Sequence, residues 1–219
     1  MKDPKKNKKQ VIPYSAREEI ANVLSHGLGA VLSLIGLIFL ILEGLRNNSP
    51  IQVLSYTIFG LSLVALYSAS SIYHFVKSEN AKAIFKKIDH ICIYYLIAGS
   101  YTPFLLLSVS GATSYVLFIT VWSMAVIGTI YKLFEKKKNI YISVSFYLIM
   151  GWLIIFAKEQ MLQNLSEGTF ELLLVGGLFY TLGVPFYLMK KTPFTHALWH
   201  LMVLGGSIFH FFAVKGTAI

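Results

Sequence analysis

The chain is poor in charge and has a single cysteine. Charged residues make up 13 % of its 219 residues, whereas apolar residues make up 56 %. A chain with so little charge cannot keep most of its segments solvated, so the composition indicates a polytopic membrane protein. The one cysteine, Cys92, excludes an intramolecular disulfide and is expected to be a small core residue.

Strict alternation of apolar and polar residues is also lacking, as are long hydrophilic connections. Membrane β-barrel strands need that alternation, so the α-helix is the remaining structure that can cross a bilayer here. Roughly 20 apolar residues are needed to cross a hydrocarbon core of about 30 Å. Seven segments approach that length, namely residues 21–43, 52–76, 88–108, 113–133, 140–157, 169–189 and 195–214. The sequence therefore predicts an all-α fold, a bundle of seven transmembrane helices.

A removable signal peptide is not expected, because the lysine-rich start has no apolar core or small-residue cleavage site behind it. We expect residues 1–20 to form a basic cytoplasmic segment and residues 21–219 to form the transmembrane domain. With the N-terminus inside, all but three of the 19 basic residues fall on the cytoplasmic side, the exceptions being Arg46, Lys158 and Lys215. The positive-inside rule then places the C-terminus outside. The net charge of +9 is accounted for by topology, so no nucleic-acid partner is expected.

Histidines near the span ends point to a metal site. His196 and His200 open the last span four residues apart, which stacks both imidazoles on one helix face. His74 ends the second span at the same membrane level, and His26 begins the first span there. Catalytic zinc has three protein ligands and an open position for water. The spacing therefore predicts a metal site, with His74, His196 and His200 as three candidate ligands at one depth.

Asp89 and Ser70 are the candidate catalytic residues. Asp89 begins the third span at the level of the histidines, where it could be a ligand, an acceptor for a ligating imidazole or a general base acting on water. We favour the base, because three histidines already complete a hydrolytic zinc site. Ser70 lies one turn deeper than His74 and could hold a water or a substrate carbonyl, or else bond to its own helix backbone.

A purely structural interpretation explains each polar residue singly as a hydrogen-bonding group between helices. Ionisable groups clustered within membrane spans nevertheless indicate a functional site. His90 points about 100° away from neighbouring Asp89 around the helix, so only one of the two side chains can face the site squarely. His210 lies ten residues beyond His200, which is about 15 Å further along the helix and too far to share its ion.

Four motifs occur in order along the spans: Glu19-x-x-Asn22-x-x-Ser25-His26, Ser70-x-x-x-His74, Asp89 at the head of the third span, and His196-x-x-x-His200. Together they resemble the hemolysin III family, the bacterial branch of the progestin and adiponectin receptor superfamily, from about Arg17 onward. The resemblance implies a multi-pass protein of the bacterial plasma membrane with zinc on His74, His196 and His200. It also implies that Asp89 and Ser70 lie near the metal-bound water and that Glu19, Asn22 and His26 surround the ligands.

The eukaryotic receptors of that superfamily are similar to lipid-amide hydrolases of the ceramidase type. The resemblance therefore implies zinc-dependent hydrolysis of membrane lipid amides or esters, with a membrane lipid as the substrate. Two alternatives stay open. The family name suggests a hemolysin, a cytolytic toxin that permeabilises target membranes, although the chain lacks the export signal that such a toxin needs. The other is a non-enzymatic sensor of membrane state with structural zinc.

Overall fold

The computed structural model describes residues 14–135 and 139–217, and within these ranges every regular element is helical. Seven helical segments are long and apolar enough to cross a membrane, so the predicted all-α, seven-span bundle is confirmed. The elements are α1 (Ala16–Arg46), α2 (Pro50–Phe75), α3 (Glu79–Leu107), α4 (Gly111–Phe134), α5 (Ile140–Trp152), a 3₁₀ helix (Leu153–Ala157), α6 (Lys158–Asn164), α7 (Thr169–Leu188) and α8 (Thr195–Lys215). The basic positions predicted within residues 1–13 and 136–138 lie outside the described residues.

Two helices begin well before the apolar segments that predicted them. The α1 helix starts at Ala16 because Ser15 caps it: Glu18 N donates to Ser15 Oγ at 3.3 Å, and Ser15 N donates to Glu18 Oε2 at 2.9 Å. The α3 helix starts at Glu79 rather than near residue 88. Hydropathy registers only the turns inside the hydrocarbon, so it misses polar turns that continue the helix at the membrane surface.

The fifth span is a composite of α5, the 3₁₀ helix and α6, and it reaches Asn164 rather than residue 157. Tyr101 on α3 explains the break. Its hydroxyl accepts from Ile154 N at 2.7 Å and lies 2.7 Å from Met150 O and 2.9 Å from Gly151 O, to which it can donate. A side chain inserted into the backbone ladder of a neighbouring helix is a recognised cause of such irregularity.

The short connections make each long helix pack against its chain neighbour, and α8 closes the bundle against α1 and α7. Glycines allow two of the closest approaches. A Cβ on Gly29 would lie 2.7 Å from Tyr67 Cδ1, and one on Gly60 would lie 2.5 Å from Leu37 Cδ1. Because successive spans are antiparallel, the starts of α1, α3 and α8 meet the ends of α2 and α7 at one end of the bundle. This is the end predicted to be cytoplasmic.

Candidate metal centre

Three histidines converge at that end of the bundle. His74 lies in the last turn of α2, and His196 and His200 lie in the first two turns of α8. One ligand nitrogen from each ring lies within 4.8 Å of the others, and His74 Nε2 is 3.2 Å from His196 Nε2. Two imidazole nitrogens on one tetrahedral zinc, at about 2.0–2.1 Å each, stand roughly 3.3 Å apart. We call these three side chains the metal centre.

The Nδ1 atoms of two of these rings are held by the first three turns of α1. His74 Nδ1 lies 2.6 Å from Glu19 Oε2, and His200 Nδ1 lies 3.0 Å from Ser25 Oγ. Glu19 in turn accepts from Lys82 Nζ at 2.5 Å. A carboxylate or hydroxyl on Nδ1 fixes the ring orientation and leaves Nε2 to coordinate a metal.

The metal centre fits a cation because its three rings are buried and one of its Nε2 atoms has no hydrogen-bond partner among the described residues. His74, His196 and His200 are 3 %, 8 % and 0 % exposed. His200 Nε2 has no hydrogen-bond partner among the described residues, and a buried polar atom left unpaired is costly. Three imidazoles suit zinc and also copper, iron or nickel.

Asp89 and Ser70 lie together and do not belong to the group of converging ligand atoms. Both are buried, at 3 % and 0 % exposure, and the Ser70 hydroxyl lies beside the Asp89 carboxyl. Within the described part of the chain, Asp89 Oδ1 and Ser70 Oγ have no hydrogen-bond partner. Two buried oxygens without partners are suited to hold a water or a substrate atom.

The three remaining predicted residues surround the ligands in different ways. Glu19 contacts His74 as described above, and Asn22 Nδ2 lies 3.4 Å from the same Nδ1 atom. His26 is fully buried and stacks on His200 with ring centroids 3.5 Å apart. It adds no nitrogen to the converging group. Its role is to pack its ring face against the ring of His200.

His90 and His210, which the sequence analysis placed outside the metal site, contact other groups. His90 Nε2 lies 3.2 Å from the hydroxyl of Tyr187, and His210 Nε2 lies 3.2 Å from Leu173 O. Neither ring belongs to the converging group. Both can therefore serve as control positions for experiments on the metal centre.

An apolar cavity, lined mainly by α3, α5, α7 and α8, adjoins the metal centre, although its lining does not include the three ligand histidines. The rings of three of its lining residues, His26, Tyr187 and Trp199, lie against rings of the metal centre. The Trp199 ring lies 5.0 Å from His196 and 5.2 Å from His200. A long apolar group in the cavity would end beside the three histidines.

The fold and the centre agree with a known family. The model of the family described as "Haemolysin-III related" matches residues 14–211. The chain belongs to that family. The match begins just before α1 and includes all four motifs, so it confirms the resemblance to the hemolysin III family.

Individual relatives cover nearly the whole haemolysin-III-related chain. The "Hemolysin-3 homolog" of Bacillus subtilis (strain 168) is 44 % identical over 201 residues, which are 92 % of this chain and 94 % of that protein. The "Hemolysin-3" of Bacillus cereus is 43 % identical over 198 residues, 90 % of each. The human "Monocyte to macrophage differentiation factor" is 32 % identical over 203 residues, 90 % of this chain and 83 % of its own. Together with the seven spans, these matches establish a multi-pass membrane protein.

Three contacts of this haemolysin-III-related site were not predicted. Ser25 was visible within the first motif, but its spacing did not reveal that it reaches His200. Lys82 was counted only as a topology signal, although it pairs with Glu19. The Tyr14 ring stacks on His196 with centroids 5.0 Å apart, and no feature of its surrounding sequence indicated this.

Replacing Glu19 by glutamine is expected to weaken metal binding. The neutral amide orients His74 less firmly and no longer raises the basicity of its ring, a loss that costs about 10–100-fold in metal affinity. Titration against a competing chelator measures the change. Glu79→Gln, which makes the same charge change at the exposed start of α3, serves as the control. Equal affinity in Glu19→Gln and the parent protein would contradict the role of Glu19.

Proposed function

We propose that this protein is a zinc-dependent hydrolase of lipid amides or esters in its own membrane. The observation that carries the proposal is the juxtaposition of three chemical parts. The metal centre offers three imidazoles, Asp89 and Ser70 hold two buried oxygens that have no hydrogen-bond partner among the described residues, and the apolar cavity adjoins the centre. The converging group has three members among the described residues, which leaves one tetrahedral position for water or substrate.

Bound zinc would supply Lewis acidity, polarising the lipid carbonyl and making water more acidic. Asp89 would accept the proton of the attacking water and return it to the departing amine or alcohol. The water oxygen becomes part of the released fatty acid as the carbon–nitrogen or carbon–oxygen bond breaks. Ser70 positions the acyl group, and Glu19 and Ser25 hold the rings of His74 and His200. The apolar cavity takes the acyl chain and keeps bulk water out.

The test is fatty-acid release by the purified protein in lipid vesicles that contain either an amide-linked or an ester-linked lipid. We expect release with zinc, loss of release after chelation, and recovery when zinc is returned. His200→Ala in the same vesicles provides the background rate. Release no faster than this background with both lipid classes would contradict the proposed hydrolase.

A cytolytic function is the second candidate, and the name of the Bacillus cereus relative, "Hemolysin-3", favours it. Lysis of red cells could follow from lipid products or from insertion into the target membrane. The two origins differ in their need for the metal centre. Lysis that disappears in His200→Ala supports the hydrolase, whereas lysis that survives supports permeabilisation by insertion.

A further inference from the structure

His196 differs from the other two histidines of the metal centre in how its ring is held. The Nδ1 atoms of His74 and His200 lie beside a carboxylate and a hydroxyl of α1. The Nδ1 atom of His196 has no hydrogen-bond partner among the described residues, and its Nε2 atom faces His74 Nε2 at 3.2 Å. A ligating imidazole is normally oriented by a hydrogen bond on its second nitrogen. The ring of His196 therefore depends on other contacts for its orientation.

Aromatic rings pack around His196 instead. The Tyr14 ring stacks on it with centroids 5.0 Å apart and an angle of 24° between the two planes. Trp199 lies at the same centroid distance with an angle of 36°, and Tyr187 lies at 6.2 Å with an angle of 38°. Tyr14 is the most nearly parallel of the three, and its ring also lies 5.7 Å from that of His74. One tyrosine ring thus lies against two of the three ligands.

Tyr14 belongs to the segment before α1, and Glu18 connects this segment to the start of α8. Glu18 Oε2 accepts from Ser15 N at 2.9 Å, and Glu18 Oε1 accepts from Phe194 N at 3.0 Å. Phe194 is the N-cap of α8 and lies two residues before His196. One carboxylate therefore joins the residue that follows Tyr14 to the turn that carries His196, which keeps the two rings together.

The contact between the two rings should be stronger with a bound metal than without one. An imidazole that coordinates an ion shares its positive charge, and the face of a tyrosine ring attracts positive charge. A contact that is stronger in the metal-bound state raises the affinity for the metal. The stacked ring also limits rotation of the imidazole beforehand, so less conformational entropy is lost when the ion binds.

We propose that Tyr14 is a positioning residue of the metal centre, which holds the His196 imidazole in its ligating orientation through ring stacking. The group that acts is the aromatic face and not the hydroxyl. Glu18 contributes by keeping Tyr14 against His196. This role requires metal binding at the centre, but it does not require the proposed hydrolysis of a lipid.

The test compares Tyr14→Leu with Tyr14→Phe in the purified full chain. Zinc affinity is measured against a competing chelator, and the absorption spectrum of the protein loaded with Co²⁺ reports the ligand geometry. Leucine keeps an apolar side chain but has no aromatic face. We expect Tyr14→Leu to bind zinc about tenfold more weakly, the lower end of the range for a lost supporting contact, and to shift the Co²⁺ bands. Tyr14→Phe keeps the ring and should retain the affinity and the spectrum of the parent protein.

Tyr141→Leu is the matched control for these variants. Tyr141 is 67 % exposed in the first turn of α5, at the same end of the bundle. Its replacement should change neither the zinc affinity nor the Co²⁺ bands. The thermal unfolding temperature of the metal-free protein should be the same in all variants.

A double-mutant cycle tests the contribution of Glu18. Glu18→Ala should weaken zinc binding about threefold in the parent protein. It should have little further effect in Tyr14→Leu, because both changes act through the same ring. An equal effect of Glu18→Ala in the two backgrounds would show that Glu18 does not act through Tyr14.

Four results would overturn the role of Tyr14. These are unchanged zinc affinity or unchanged Co²⁺ bands in Tyr14→Leu, a loss in Tyr14→Phe as large as that in Tyr14→Leu, an equal loss in Tyr141→Leu, and a lower unfolding temperature of the metal-free Tyr14→Leu protein. The last result would show that Tyr14 stabilises the fold and not the metal centre.

Discussion

Replacing His196 or His200 by alanine is expected to leave the purified protein without stoichiometric metal. Each substitution removes one of three converging nitrogens and leaves two ligands with no fixed third. Loss of a supporting contact alone costs about 10–100-fold in metal affinity, so loss of a direct ligand should exceed that range. Elemental analysis after dialysis measures the metal content per chain.

His210→Ala and His90→Ala are the matched controls for this experiment. His210 shares α8 with both ligands, and His90 lies on α3 beside Asp89, but neither ring joins the converging group. Both variants should keep the full metal content. An alanine variant of His196 or His200 that retains one metal per chain would refute the assignment of the metal centre.

Replacing Asp89 by asparagine is expected to lower the rate of lipid hydrolysis by about 10²–10⁴-fold, the range typical of a lost general base. The amide has nearly the same volume as the carboxylate, so packing around it is preserved. It cannot accept a proton from water. Because Asp89 lies outside the converging ligand group, the metal content should stay unchanged. Fatty-acid release and metal content are measured on the same preparation.

Glu43→Gln is the control for the Asp89 variant. Glu43 Oε2 is likewise buried without a hydrogen-bond partner among the described residues, but it lies at the opposite end of α1 from the metal centre. Its amide variant should keep full activity. If Asp89→Asn lost metal together with activity, Asp89 would support the centre structurally and would not be the proton acceptor.

Features that depend on local sequence were predicted well. Seven spans followed from the apolar segments, and the common depth of His74, His196 and His200 followed from their positions at span ends. The composite fifth span could not be predicted, because the hydroxyl that interrupts its α-helical hydrogen bonds belongs to Tyr101, which is far away in sequence. Its effect on residues near Ile154 exists only after the two spans have packed together.

The contacts around the metal centre depend on helix rotation, which hydropathy does not determine. The pairing of Lys82 with Glu19 requires the first turns of α3 to face α1. Those turns lie before the apolar segment that predicted α3, so they were not treated as helix. His26 was expected beside the ligands, but its stacking on His200 depends on the rotation of α1 about its axis.

The phenol of Tyr101 also bears on how the protein is assembled. Before it packs against α3, the fifth span can bond the amide of Ile154 within a regular helix, so no backbone group need be left unsatisfied in hydrocarbon, where each would cost several kcal/mol. That amide is satisfied by the Tyr101 oxygen of α3. Because α3 is synthesised before the fifth span, the acceptor is already present when the later segment leaves the ribosome. The fifth span can therefore enter the bilayer as a regular helix and take its irregular form when it meets α3.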